Sequence, residues 1–203
     1  MEWLGIKFEQ GASYISLNTY RSALSFLCGE YIGKSPMICR LLKGIYKLRP
    51  SKPKYDRIYS LDSVLNKLER MHPLNNFNLD QLTTKVVIFL SLITAQRKQT
   101  LSLIKRSNIK KTNSGFEIEI SDSIKTSRPG ASQPFLILNK FNENSKLCVV
   151  SVLEEYIKVT ELLITTDFLF ITIKRSHKVA SKDTISRWIR AFLVEGGISS
   201  KFT

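Results

Sequence analysis

Cysteine is scarce in this 203-residue chain, with only Cys28, Cys39 and Cys148. Three thiols set among apolar neighbours build neither a disulfide framework nor a metal cluster, and they read as reduced core residues of an intracellular protein. Histidine is scarcer still, limited to His72 and His177. Long apolar runs are missing: Val86 to Ala95, the most apolar helical stretch, is too short to cross a bilayer. The opening Met1-Glu2-Trp3-Leu4-Gly5 has no basic region followed by an apolar one, so no secretory signal is expected. Acidic residues are also in deficit, 17 against 31 lysines and arginines, for a net charge of +14. A positive field of that size favours an anionic partner, nucleic acid before membrane. With 43% hydrophobic residues the chain still has enough for an ordinary buried core.

Periodicity and caps divide the chain mostly into helices. Residues 1–15 show no helix start. Ser16 is a plausible cap for a helix whose Tyr20, Ala23, Leu24 and Leu27 share one buried side. Gly29 and Gly33 loosen the chain before Ser35-Pro36, a cap with proline at the first helical position. In the helix that follows, Ile38, Leu41, Leu42 and Ile45 form the inner face and Arg40, Lys43 and Lys47 the outer one. The segment Arg49-Pro50-Ser51-Lys52-Pro53-Lys54 cannot be regular, because each proline removes a backbone donor. The expected organisation is a small helical domain over 1–48, a basic proline-rich linker over 49–59, and a larger domain over 60–203.

In the larger domain Ser60 caps Leu61 to Met71, and Asn78 with Gln81 signals a capping box for a helix over Leu79 to Thr94. Val86, Val87, Phe89, Leu90 and Leu92 make that helix apolar nearly all round, hence central. Phe116, Ile118 and Ile120 alternate with Glu117, Glu119 and Ser121, the period of a half-buried strand, and a second strand follows over Pro134 to Leu138. Between them a turn with Pro129-Gly130 projects Lys125 and Arg128. Later segments read as a helix over Val149 to Thr160, a short buried strand at Phe168 to Ile171, and a helix over Lys182 to Glu195, capped by Ser181 and stopped by Gly196-Gly197. The fold class is therefore mainly α with a small β-sheet.

The most informative stretch is Thr94 to Arg128. Leu101 and Ile104 give a short helix an apolar side that anchors it, while Arg97 stands at its start among Gln96, Lys98 and Gln99. A guanidinium so placed faces outward and can grip two phosphate oxygens. The basic residues Arg40, Lys43, Lys47, Lys52, Lys54, Lys98, Lys105 and Arg128 are candidates for contacts to nucleic-acid phosphates, and Arg106, Lys110 and Lys111 extend the same cluster.

An arginine-led helix ending in Asn108-Ile109, followed by a hairpin carrying Lys125-Thr126-Ser127-Arg128-Pro129-Gly130, resembles the first half of the catalytic domain of tyrosine recombinases, the phage integrase family. Asn18-Thr19-Tyr20-Arg21-Ser22-Ala23-Leu24, Leu41-Leu42-Lys43-Gly44-Ile45 and Leu82-Thr83-Thr84-Lys85 extend the resemblance toward the eukaryotic transposon branch, the Crypton and DIRS-like elements. The resemblance implies a tyrosine hydroxyl attacking a phosphodiester to leave a phosphotyrosyl link, with no metal or other cofactor. Arg97 matches the family's first arginine and Lys125 its general-acid lysine. The resemblance makes 1–48 a remnant of the family's helical DNA-binding domain and 60–203 the amino-terminal part of its catalytic domain. Double-stranded DNA is the implied partner, a recombinase oligomer on DNA the implied assembly of a full-length protein, and the nucleus the expected location.

Two elements of the family pattern have no counterpart here. His177 has Ala180 three residues later in place of the arginine of a His-x-x-Arg box. Every tyrosine, Tyr156 included, precedes the position where the nucleophile belongs. The expectation is a recombinase fragment that binds DNA without cleaving it. A DNA-binding module that is no enzyme, and a helical domain that binds RNA or protein, are the competing readings.

Overall fold

The computed structural model describes residues 2–51, 60–163 and 165–198. The chain divides into two compact units, Met1–Ile58 and Tyr59–Thr203. Among the described residues no helix is long and apolar enough to cross a membrane, and no group of His, Cys, Asp and Glu is placed to hold a metal ion.

The first unit holds α1 (Glu2–Glu9), α2 (Tyr14–Cys28), α3 (Glu30–Lys34) and α4 (Pro36–Leu48). Leu4, Leu17, Ile38, Leu42 and Ile45 form its core. Several expectations need correction here. The opening residues are helical, because Leu4 finds a place in that core. The cap of α2 is Ser13, whose side chain accepts from the Ser16 N–H, and Ser16 itself lies inside the helix. The residue of α2 that is buried is Leu17, while Tyr20, Ala23 and Leu27 are exposed. Cys28 is likewise exposed and Cys39 half-buried, so only Cys148 is a core thiol. Arg49, expected in the linker, is bound into this unit: its guanidinium donates to the carbonyls of Phe8 (3.3 Å) and Ala12 (3.4 Å) and lies 4.3 Å from the Phe8 ring centre.

The second unit is built around α6 (Leu79–Thr94), packed between α8 (Val149–Thr160) and α9 (Lys182–Glu195), with α5 (Asp62–Arg70) also contributing to the core. The Asn78 side chain accepts from the Gln81 N–H at 2.9 Å and the Gln81 side chain accepts from Asn78 N–H at 3.2 Å, which completes the capping box. Leu82, Val86, Val87, Ile88, Phe89 and Leu90 are all buried, as expected of a helix enclosed on most sides. Lys85 is buried among them with no exposed surface, a feature that helical periodicity does not reveal. Its ammonium donates to the Met71 carbonyl and lies 5.6 Å from the Phe89 ring centre and 5.9 Å from that of Phe77.

A three-stranded antiparallel sheet, β1 (Ile109–Lys111), β2 (Gly115–Glu119) and β3 (Phe135–Asn139), covers one side of this core with β2 central. Phe116 and Ile118 pair with Leu138 and Leu136, and these four face inward. The architecture is mainly helical with a small sheet. Phe168 to Ile171 differs from the strand expected there: it makes only isolated bridges, Lys105 with Phe168 and Ile171 with Val179. Leu169, Phe170 and Ile171 are buried, so the apolar run reflects burial without a neighbouring strand to pair with.

Candidate functional site at the start of α7

The helix α6 is closed at its C-terminal end by Ala95, which adopts a left-handed conformation with φ 50°. A non-glycine residue there costs about 1 kcal/mol, and it turns the chain out of the helix axis so that Arg97 becomes the residue preceding α7 (Lys98–Ser102). The helix α7 is short but held firmly: Thr100 and Leu101 are buried, and the Leu101 N–H donates to the Arg97 carbonyl at 3.2 Å. Arg97 itself is exposed. Packing thus fixes its backbone while leaving its guanidinium to solvent.

The connection from β2 to β3 returns to the same place. Two successive β-turns shape it. In the first, the Ser127 N–H donates to the Ile124 carbonyl at 2.9 Å, with Lys125 and Thr126 at the corner. In the second, the Ala131 N–H donates to the Arg128 carbonyl at 3.1 Å around Pro129 and Gly130, whose φ of 77° is the left-handed value that a proline-glycine corner needs. Ile124 is packed against the main core, and the Ser127 hydroxyl accepts from its N–H at 2.8 Å. At the base of the connection, Asn108 donates to the Ser121 hydroxyl at 2.9 Å and Lys105 pairs with Asp122 at 2.7 Å.

Arg97 and Lys125 line one cavity of about 210 Å³ together with Ala95, Gln96, Gln99, Thr100, Ile124 and Thr126. Two cations, several polar side chains and no carboxylate share these walls. Such a pocket attracts an anion. Arg128, in the second turn, is exposed.

The other basic candidates fall into different settings. Lys98 pairs with Asp183 of α9 at 3.2 Å. Lys105, besides Asp122, lies 5.7 Å from the Phe168 ring centre, so its ammonium is engaged within the fold. Arg106 donates to Thr160 and to the Ile157 carbonyl, and burial draws its pKa below the ordinary arginine value against the opposing charges of Tyr156 and Glu161. Lys111 pairs with Glu154 at 2.8 Å, and Lys110 is exposed. In the first unit Arg40, Lys43 and Lys47 are exposed on α4, across from the buried Ile38, Leu42 and Ile45. Lys52 and Lys54 lie outside the described residues.

Tyr156 is fully buried, its hydroxyl 3.3 Å from the Leu169 carbonyl, and burial raises its pKa. It is a core residue, as its position on the apolar face of α8 implies. Reading the sequence by family pattern did not single out Gln99, whose side chain reaches the Lys125 backbone at 3.3 Å. No local signal marks a hydrogen bond between residues 26 apart in the chain.

No protein-family model and no curated protein matches the chain. Among solved structures it is similar to the crystal structure of XerA recombinase, at 20% sequence identity and a TM-score of 0.49, over 92% of this chain and 63% of that one. The chain thus spans less than two thirds of the length of that structure.

Proposed function

We propose that the chain binds duplex DNA as part of a tyrosine recombinase, with a phosphate seated between Arg97 and Lys125. The observation that carries this reading is the shared cavity, which brings together two cations far apart in sequence with no carboxylate on its walls. Fixed positive groups in such a pocket favour charge developing on non-bridging phosphate oxygens, and an ammonium at its rim is suited to protonating a leaving oxygen. Arg40, Lys43, Lys47, Lys98 and Arg128 add backbone contacts that position the duplex without reading its bases. The Crypton and DIRS-like branch, action in the nucleus, assembly of several copies on DNA, and a DNA-binding role for the first unit belong to the same proposal. They rest on the residue pattern.

The chain as it stands is proposed to bind without cutting. Covalent strand cleavage needs a tyrosine hydroxyl placed at the phosphate, and Tyr156, the one tyrosine after the Lys125 turn, is enclosed in the core. Duplex binding measured across a salt series tests the first part. Affinity is expected to fall steeply with salt, and Arg97→Ala or Lys125→Ala to reduce the logarithmic slope by about 1 each. Affinity independent of salt, or a preference for RNA over duplex DNA, overturns the reading. Incubation with nicked duplex substrates tests the second part: no denaturant-resistant adduct is expected, and an adduct mapped to any tyrosine present overturns it.

A further inference from the structure

The connection between β2 and β3 is long, and long irregular connections sample many conformations unless something ties them down. Ile124 is one anchor, through its contact with the core and its hydrogen bond to Ser127. The Ser127 hydroxyl also donates to the Gln133 side chain at 3.0 Å, drawing the two turns together. These ties lie within the connection and the core beneath it, and they do not link the turn to α7.

The link to α7 is Gln99. Its side-chain carbonyl accepts from the Lys125 N–H at 3.3 Å, and the residue is half-buried in the wall of the cavity that Arg97 and Lys125 share. The Lys125 N–H stands at the first corner of its turn, where the turn's own hydrogen bond does not use it. Gln99 is steady enough to hold it: its backbone carbonyl accepts from the Ser102 hydroxyl at 2.8 Å, and the neighbouring Thr100 and Leu101 are buried.

We infer that Gln99 is a positioning residue, which ties the turn carrying Lys125 to the start of α7 and so sets where Lys125 stands relative to Arg97. The inference rests on reading the cavity as a phosphate site, and it adds to that reading a residue that acts through where it holds Lys125. Leucine at position 99 keeps the bulk of the side chain and removes the acceptor; glutamate keeps the acceptor. Amide hydrogen exchange on the full chain separates these roles without any DNA. In Gln99→Leu the Lys125 amide is expected to lose about fivefold to tenfold of its protection, the scale of one hydrogen bond. Gln99→Glu restores it, and the Leu101 amide keeps its protection in both variants. Equal protection of Lys125 in the wild type and Gln99→Leu overturns the inference.

Duplex binding supplies the second arm. If Gln99 positions Lys125, then Lys125→Ala weakens binding several-fold in the wild-type background and less than about twofold when combined with Gln99→Leu, since the lysine is already displaced. A full, undiminished effect of Lys125→Ala in the Gln99→Leu background also overturns the inference. Indifference of duplex affinity to Arg97→Ala and Lys125→Ala alike would overturn the phosphate-site reading instead, and the exchange result would still decide the role of Gln99.

Discussion

Replacing Lys85 by methionine should change how the stability of the second unit depends on pH. The Lys85 ammonium has no exposed surface, and among the described residues no carboxylate pairs with it; its neighbours are the Met71 carbonyl and the rings of Phe77 and Phe89. Burial lowers its pKa from 10.5 to about 8. Below pH 8 the lysine is charged in both the folded and unfolded states, so the folded state carries the full cost of the buried charge. Between the two pKa values the unfolded chain binds more protons than the folded one, and stability therefore rises with pH. The full difference of 2.5 pH units corresponds to about 3 kcal/mol. Between about pH 7.5 and about pH 9.5 the gain works out at about 2 kcal/mol.

Lys85→Met removes the titrating group but leaves the Met71 carbonyl without this donor, a loss of about 1–3 kcal/mol that does not vary with pH. The informative quantity is therefore the difference between wild type and variant at several pH values, not the stability of the variant at one. Other groups do not confuse it. Cys148 is present in both proteins; burial alone would raise its pKa, but N–H donors led by Phe141 lower it, so its contribution cancels. Burial raises the pKa of Tyr156 above 10.0, which places its effect above the window and gives it the opposite sign. Urea unfolding at constant ionic strength, followed through Trp188 in a Trp3→Phe background, reads the second unit alone. Wild type should gain on the variant by about 2 kcal/mol across the window. A constant difference would show that Lys85 is not desolvated in the way its surroundings imply.

Two further substitutions test the framework that presents the site. A side chain at Gly115, where φ is 155°, would place its Cβ 1.9 Å from the Leu138 carbonyl oxygen, so Gly115→Ala should force β2 and β3 apart and destabilise the second unit by about 3 kcal/mol or more, read as a shift of the urea midpoint. Asn78→Ala removes one side of the capping box at the start of α6 and should cost about 1 kcal/mol, measured in the same way; no loss would mean that the cap is replaced by water at no net cost.

Where local physics suffices, the chain alone determined the structure. The bounds of α6, α8 and α9 follow from caps and apolar spacing within each segment: Asn78 with Gln81, Ser181, and the faces carrying Val152, Leu153 and Tyr156. The alternation at Phe116, Ile118 and Ile120 likewise marks a strand with one face buried. Arg97 and Lys125 were identifiable as a pair only through the order of residues in a known family. Tertiary structure decided the rest, because each feature depends on a partner distant in sequence. A buried apolar run such as Phe168 to Ile171 becomes a strand only if another strand lies beside it, and it has only isolated bridges. The charge on Lys105 is engaged because Asp122 and Phe168 are folded against it, whereas Arg40, Lys43 and Lys47 stay exposed on α4. Lys85 lies on a helix face that only the packing of the second unit encloses, and Gln99 meets the Lys125 backbone because the sheet brings its connection back to α7.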